Sequence, residues 1–523
     1  MKTSFFGTKW AFHDFLQNLQ KLKILNKWNL FFCSCLIFNL LFLGLSSISY
    51  GYTVDVGKSV EEVLEYETLK GSCDTYWSLI ENDEESEKIR IFERKCGKWL
   101  FLFWETSGEL PLPIMLYDAM RRSWPDLTGD HFEKLGFIKN PYSPEGWPVG
   151  VVRSTKKYMG LPSINVNCAS CHVGKLPDGR YAVGAPNTEL DMSQFNLMSY
   201  YSVYIAMNKE EKKILSPEVV AYYENLKRLE RRRYRDENGK IDWSNSVFKY
   251  SYLLSILGIG TKGLPDADYV KMPPAADLKS WLDGRPGVFN PGAPMLTVQV
   301  KDVPNLAVPQ IWELGGHGPD IESGHQAPLG IVAKYGSLED FLRSAIVYTY
   351  QAPELAVEKY VKPLASYLRS LKAPKNPKKP KESDVIAGRA EFTRSCLSCH
   401  NGPGFETQKL YLAEEVGASS SLDYVMENYK PTTPIAELIA KLSMEIDAAM
   451  DPSPIGIKSR SFVGIWARKN LMLDGSVEDL NDLFCLEHEN HRSPGLSRKV
   501  HRDLCEDFSK REKKNLKSFL ETL

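Results

Sequence analysis

The five residues Cys396-Leu397-Ser398-Cys399-His400 repeat the pattern of Cys168-Ala169-Ser170-Cys171-His172, and these two stretches decide how the chain is organised. The shared pattern, Cys-x-x-Cys-His, is typical of covalent haem attachment, in which each thiol bonds one vinyl group and the histidine ligates the iron. With 10 Cys and 9 His in 523 residues, chance alone gives about 0.003 copies of this pattern. We therefore predict two covalently bound haem c groups, held by Cys168, Cys171, Cys396 and Cys399 and ligated on the proximal side by His172 and His400.

Two other interpretations use the same residues. Two Cys-x-x-Cys pairs could together hold one structural zinc ion, but zinc needs no histidine directly after each pair. A thioredoxin-like redox pair would explain one copy of the motif, but not two copies that are each followed by histidine. Both interpretations explain less of the pattern than haem does.

The first 51 residues have the composition of a segment that directs export. Five lysines lie before or at the start of an apolar run that extends from Trp28 to Leu45, and small residues from Ser46 to Gly51 follow it. This order is typical of a secretory signal peptide. The apolar run also approaches the ~20 residues that span a bilayer, so an uncleaved membrane anchor is the alternative. In either case we expect the haem motifs in the periplasm or elsewhere outside the cytoplasmic membrane.

The remaining composition is that of a soluble globular protein. Charged residues make up 25% and apolar residues 43% of the chain, and the formal net charge is −1. A nearly neutral chain has no bulk field that would attract nucleic acid, so we expect no nucleic-acid partner. The basic stretch Arg228–Arg235 has helical spacing and is predicted to be a solvated helix face. Four cysteines outside the leader and the motifs form two local pairs, Cys73 with Cys96 and Cys485 with Cys505, which we predict to be disulfides in an oxidising compartment rather than four buried thiols.

The chain is predicted to be mainly α, with two cytochrome c-like haem domains, long irregular loops and a helical N-terminal extension. Residues 52–143 form the extension, in which Glu61–Glu65 and Asp118–Arg122 read as helical. Residues 144–371 form the first haem c domain, and 372–381 form a Lys- and Pro-rich linker of the extended, solvated kind. Residues 382–523 form the second cytochrome c domain. Its first helix is predicted to be capped by Ser383, to be lined by Ile386, Ala390 and Phe392, and to deliver Cys396.

Several segments resemble the dihaem c-type cytochromes that are related to bacterial dihaem cytochrome c peroxidases and to rubber oxygenases. The likeness covers roughly residues 144–480 and is carried by Trp147–Gly150, Val166–Gly174, Gly184–Phe195, Ala307–Trp312, Lys458–Ala467 and Asp474–Leu480. The resemblance implies a dihaem oxidoreductase in which one iron stores an electron and the other meets an oxidant. Relatives place a histidine, the second axial ligand of the C-terminal haem, where this chain has Leu473.

The distal iron ligands separate two functional hypotheses. For the second haem, Met472 is the first candidate, with Met450 and Met444 as rivals. For the first haem, none of His131, His317 and His325 stands out, so this iron is expected to be open. An open iron permits peroxide or O₂ chemistry, whereas two six-coordinate irons suit electron transfer.

We therefore expect an exported dihaem oxidoreductase, with a small-molecule oxidant and a redox partner protein or donor. A pure electron-transfer cytochrome is the alternative. No catalytic side chain is identified from the sequence. Trp312 and Trp466 are candidates for an electron relay, although each is also explained as an aromatic packed on a haem face.

Overall fold

The residues that the structure describes all belong to one unit of the chain, Thr53–Leu523. In this computed structural model the described residues are 53–82, 87–105, 112–155, 162–195, 198, 286–289, 306–314, 337–350, 354–402, 404–406, 409–411, 413–416, 459, 461–487, 501 and 504–523. The predicted leader and the basic stretch Arg228–Arg235 lie outside them. Among the described helices, none is both long and apolar enough to cross a membrane.

The fold is mainly α with few strands, as predicted at the level of fold class. The described residues hold thirteen α-helices: α1 Val60–Leu64, α2 Tyr66–Leu69, α3 Ser72–Glu81, α4 Glu87–Phe103, α5 Ile114–Ser123, α6 Pro125–Thr128, α7 Cys168–His172, α8 Leu338–Tyr350, α9 Glu354–Ser370, α10 Glu382–Ser395, α11 Ala413–Val416, α12 Leu480–Leu483 and α13 Lys510–Leu520. Two 3-10 helices cover Asp130–Leu135 and Ile465–Ala467. The helical segments predicted at Glu61–Glu65 and Asp118–Arg122 are confirmed as α1 and part of α5.

Eight short strands form three small antiparallel sheets. The strands are β1 Val56–Gly57, β2 Leu112–Pro113, β3 Val151–Arg153, β4 Ser163–Val166, β5 Val173–Lys175, β6 Tyr181–Val183, β7 Val288–Phe289 and β8 Leu306–Ala307. Their orders are β1-β6-β5, β2-β4-β3 and β7-β8. In the first sheet Val56 faces Ala182, and in the second Val151 faces Val166. Strands β4 and β5 immediately flank the first haem motif, so these two sheets fix its position.

The largest apolar core joins the N-terminal extension to the first haem region. It contains Leu100 and Phe101 of α4, Ala169 and Val173 at the first motif, and Leu364 of α9. Helices α4 and α9 cross very closely at Gly97, where an added β-carbon would overlap the carbonyl of Pro363. The extension is therefore part of the packing around the first motif rather than a separate module.

A disulfide between Cys73 and Cys96 joins α3 to α4, with the two Cα atoms 4.4 Å apart. The second predicted pair, Cys485 and Cys505, is also joined, with Cα atoms 5.5 Å apart. Both cysteine pairings predicted from local spacing are confirmed in the structure. Each closes a short loop of a kind that contributes about 3 kcal/mol on the chain-entropy account of cross-linking.

The second core is built on the crossing of α10 and α13. An added β-carbon at Gly388 would overlap the carbonyl of Asn515, so the two helices touch backbone to backbone. Phe392 is buried in this core beside Leu516 and Phe519. Helix α13 begins with a capping box, in which the Ser509 side chain accepts from the Glu512 backbone and the Glu512 side chain accepts from the Ser509 backbone.

The start of α10 differs from the prediction. The helix begins at Glu382 with Lys381 at the N-cap, so Ser383 lies inside the first turn. Of the residues expected to line the helix, Ile386 is 64% exposed and Ala390 is exposed, and the buried face carries Gly388 and Phe392. The partner helix decides this face, because α13 packs at Gly388 and Phe392, which lie one turn apart. The helix does end at Ser395 and deliver Cys396, as predicted.

The Lys- and Pro-rich segment 372–381 is extended, but residues 372–376 are hydrogen-bonded to parts of the chain that lie before and after it in sequence. The Lys372 amide donates to Thr53 O at 2.9 Å. Pro374 is buried, and its carbonyl accepts from Trp466 Nε1 at 3.0 Å. Asn376 Nδ2 donates to Glu521 O at 3.1 Å. The expected solvated linker is therefore limited to the exposed residues around 377–379.

Candidate functional site

The first haem motif forms helix α7, whose start is fixed by one asparagine. The Asn167 side chain accepts from the Ala169 amide at 2.9 Å and so caps the helix. Its Nδ2 donates to Trp104 O at 2.8 Å and to Leu102 O at 3.3 Å, at the C-terminal end of α4. A single buried side chain thus ties the N-terminal extension to the motif.

His172 is the last residue of α7 and is held in a defined orientation. Its carbonyl accepts from the Gly184 amide at 2.7 Å. Its Nδ1 lies 3.1 Å from the carbonyl oxygen of Pro309. A carbonyl can only accept, so Nδ1 carries the proton and Nε2 carries the lone pair. This is the arrangement that a metal-binding histidine requires, because the carbonyl fixes both the tautomer and the ring direction.

The second haem motif has the same arrangement on a different local structure. Cys396 caps α10, and the chain then turns so that the His400 amide donates to Cys396 O at 2.9 Å. His400 Nδ1 lies 3.0 Å from Phe405 O and 3.1 Å from Ser459 Oγ. The lone pair is therefore again on Nε2. The carbonyl that accepts from His400 Nδ1 is thus that of Phe405.

The His400 ring lies among aromatic side chains and a second histidine. Its centroid is 4.8 Å from that of Phe462, 6.4 Å from that of Phe392 and 6.3 Å from that of His501. Burial lowers the pKa of His400, although the hydrogen bond to Phe405 opposes this shift. Burial, and then the neighbouring His400, lower the pKa of His501 to about 4. Both rings are therefore neutral imidazoles at neutral pH, the form that binds metal.

The cysteines of the two motifs belong to separate sites. All four are half-buried and are not joined in disulfides. Burial, and then Cys399, raise the pKa of Cys396 to about 11. Within the described residues no group of three or more His, Cys, Asp or Glu comes together in the way that a bare metal ion requires. A single zinc site would need the two Cys-x-x-Cys pairs to come together, and the described residues do not form such a group.

The donor set at each motif is chemically suited to haem c. Each offers two thiols for thioether bonds and one imidazole whose Nε2 lone pair is directed by a carbonyl on Nδ1. At the second motif, Phe392, Phe405 and Phe462 add an apolar wall of the kind that a porphyrin face needs. The predicted attachment residues and proximal histidines therefore have a consistent local chemistry in the structure.

Met472 and Leu473 lie in a tight turn that packs against the first half of the chain. Leu471 and Val477 are bridged, and Met472 has a φ of 66° between them. Met472 packs on the second core, the same cluster that Cys396 contacts. The carbonyl of Leu473 accepts from the Ala307 amide at 2.8 Å. This turn is thus a contact between the chain segments that follow the first and the second motif, which is a role that the sequence alone did not suggest.

Trp312 also joins the two haem regions. Its Nε1 donates to Val183 O at 2.8 Å, and the side chain is 2% exposed. A β-carbon at Gly184 or at Gly464 would overlap the indole, so the ring lies directly between these two glycines. Gly184 follows the first motif, and Gly464 belongs to the segment that closes the second core. Trp466 packs on the first core and donates to Pro374 O.

The remaining candidate ligands divide into one that the structure places and four that lie outside the described residues. His131 Nε2 is 2.9 Å from Arg121 NH1, and Asp130 lies beside it, so this histidine belongs to a surface polar cluster. His317, His325, Met444 and Met450 lie outside the described residues. Sequence reasoning missed His501, because it stands about 100 residues from His400 and carries no motif.

Comparisons with known protein families, characterised proteins and solved structures found no match, so the resemblance rests on the quoted motifs alone.

Proposed function

We propose that this chain is an exported dihaem c-type cytochrome that acts as an oxidoreductase, with peroxide or O₂ chemistry at the first haem and electron transfer through the second. One observation carries the proposal: both motif histidines hold Nδ1 on a backbone carbonyl, at 3.1 Å from Pro309 and 3.0 Å from Phe405. The two motifs lie on different local structures but orient their histidines in the same way. Binding of the same group, haem c, at both motifs explains this similarity.

The residues of the first site would hold and orient one haem. Cys168 and Cys171 would form the two thioether bonds, and His172 would supply the proximal nitrogen. When bound, haem supplies a one-electron iron couple and, where the sixth position is open, a place for an oxidant. The one described histidine considered for that position, His131, is engaged with Arg121. This supports an open first iron.

The second site would act as the electron reservoir, with Cys396, Cys399 and His400 in the matching roles. Helix α10 ends at the motif and crosses the C-terminal helix α13 backbone to backbone. A helix that delivers Cys-x-x-Cys-His and packs on a later helix is the expected plan of a cytochrome c domain. This supports the finer prediction of a cytochrome c-like fold in residues 382–523.

Export is supported by the two disulfides. Cys73–Cys96 and Cys485–Cys505 lie on the two haem halves, and disulfides of this kind persist in oxidising compartments. The proposed location is the periplasm or another site outside the cytoplasmic membrane, with the N-terminal 51 residues as a cleaved signal peptide or a retained anchor.

A pure electron carrier is the second candidate, and one observation favours it. Leu473 stands where the relatives' axial histidine is expected, so their substrate chemistry does not transfer directly to this chain. In a pure carrier both irons would be six-coordinate, and neither would bind an external ligand.

Haem content and CO binding test the proposal. Export in cells that attach haem c should give two haems per chain in a pyridine haemochrome assay. Cys168→Ala with Cys171→Ala should remove one, and Cys396→Ala with Cys399→Ala the other. The reduced protein should bind one CO per two haems. A wild-type chain without covalent haem would exclude the whole proposal, and two haems with no CO binding would leave the electron carrier.

A further inference from the structure

His501 lies near the ring of the second motif histidine, at a separation that fits a shared iron. The centroids of His400 and His501 are 6.3 Å apart, and the ring planes differ by 34°. His400 Nδ1 is already bonded to the Phe405 carbonyl, so the lone pair on Nε2 is available on another side of the ring. The distance between the two rings can be compared with the distance expected for two imidazoles that bind one iron.

An iron between two imidazoles sets the distance between their ring centroids. A metal–imidazole bond is about 2.05 Å long. A five-membered ring with bonds of roughly 1.35 Å places each atom about 1.15 Å from its centroid. Two rings on opposite sides of one metal are therefore about 6.4 Å apart, centroid to centroid. The measured 6.3 Å agrees with this value. Rings in direct contact can be closer than this, as the tilted pair His400 and Phe462 is at 4.8 Å.

The hydrogen bonding of His501 leaves one of its two ring nitrogens available. Its Nδ1 is buried and has no hydrogen-bond partner among the described residues. A buried ring nitrogen without a partner is costly, and most such groups are satisfied in native proteins. A metal bond to the ring gives the histidine a reason to be buried beside His400.

The local fold holds His501 in place. The Leu504 amide donates to His501 O at 3.2 Å, and the next residue, Cys505, is joined to Cys485. Lys513 Nζ donates to Cys505 O at 2.5 Å, which ties the same segment to α13. The disulfide Cys485–Cys505 therefore helps to fix the position of His501.

We propose that His501 is the sixth ligand of the iron bound to His400, so that the second haem has two histidine ligands. This inference rests on the proposed function, because it needs a haem at the second motif. It replaces Met472 as the distal residue, and it compensates for Leu473 by a histidine from a different segment of the chain. A haem with two histidine ligands has a lower reduction potential than one with a histidine and a methionine.

The test compares two variants in the full-length, haem-loaded protein. Absorption and EPR spectra should show a low-spin second haem in the wild type. His501→Ala should make that haem high-spin and raise CO binding from one to two per chain, and added imidazole should restore the low-spin spectrum. The matched control, Met472→Leu, should leave the spectra and the single CO unchanged. His501→Met, which keeps a ligating side chain if the alanine variant does not fold, should raise the potential of the second haem.

Two results would overturn the assignment while leaving the proposed function in place. One is a low-spin second haem in His501→Ala with unchanged CO binding. The other is conversion to high spin by Met472→Leu, which would return the distal role to methionine. The absence of covalent haem in the pyridine haemochrome assay would instead reject the proposed function, so the two failures are distinguishable.

Discussion

Removal of Lys98 should strongly destabilise the packing around the first motif. Its ammonium lies 3.1 Å from Asp55 Oδ1 and 2.7 Å from Glu65 Oε2. The Lys98 and Asp55 side chains are only 5% and 6% exposed. Tyr367 Oη donates to Asp55 Oδ2 at 2.5 Å, and burial, followed by Asp55, raises the pKa of Tyr367 well above its usual value, so the phenol stays protonated. The Asp55 carbonyl also accepts from the Val183 amide in β6, near the first motif.

The magnitude follows from burial and distance. Two unit charges separated by 3.1 Å attract by about 5 kcal/mol at an effective dielectric constant of about 20. Much of this gain offsets desolvation, so the net value of the pair is small, but removing one partner strands a buried charge at a cost of about 3–5 kcal/mol. Lys98→Met keeps the aliphatic stem and should therefore destabilise the protein by about 3–5 kcal/mol. Lys98→Met with Asp55→Asn should recover most of the loss, because the asparagine carries no charge and still accepts from Tyr367.

Urea unfolding followed by tryptophan fluorescence measures this effect as a shift of the midpoint at constant slope. Glu65→Gln is the matched control, since the Glu65 side chain is 50% exposed and exposed ion pairs contribute at most about 1 kcal/mol. The reasoning is refuted if Lys98→Met costs less than about 1 kcal/mol, or if the double variant is no more stable than the single one.

Three further substitutions test contacts around the two motifs. Replacing Cys73 and Cys96 by alanine should cost ~3.4 kcal/mol, the loop-closure value for their separation of 23 residues, and should lower the urea midpoint; no change would mean that the bond is absent in solution. Asn167→Ala should cost ~2–4 kcal/mol in the same assay, because it removes a helix cap and two further hydrogen bonds to the end of α4, and a loss below ~1 kcal/mol would contradict this account. Gly464→Ala should cost ~2–5 kcal/mol, because its φ of 74° and the Trp312 ring both oppose a β-carbon, and an unchanged tryptophan emission spectrum and midpoint would argue against that contact.

The features that could be predicted from the sequence are those determined by a short stretch of chain. The two haem motifs need only five consecutive residues each, and the helix that ends at Cys396 is set by local propensity. The disulfide partners are also near each other in sequence, so pairing Cys73 with Cys96 required no knowledge of the fold.

The features that sequence missed depend on distant partners. Gly388 is buried in α10 because Asn515 of the last helix packs there. The sequence shows no sign that the N-terminal extension packs under the first motif, where Asn167 hydrogen-bonds to the end of α4. His501 could not be found by pattern, since only the folded chain brings it to His400.

The attachments of the Lys- and Pro-rich segment determine whether the two halves can exist apart. A fragment that began at α10 would lose the Pro374 carbonyl that accepts from Trp466 Nε1 and the Asn376 amide that donates to Glu521 O. It would also uncover the Trp312-facing side of Gly464. A protease that cut at the exposed Lys378 would nick the chain, and the two pieces would stay associated through these contacts. The halves are thus not interchangeable modules, and recombination between such chains would have to exchange both halves together.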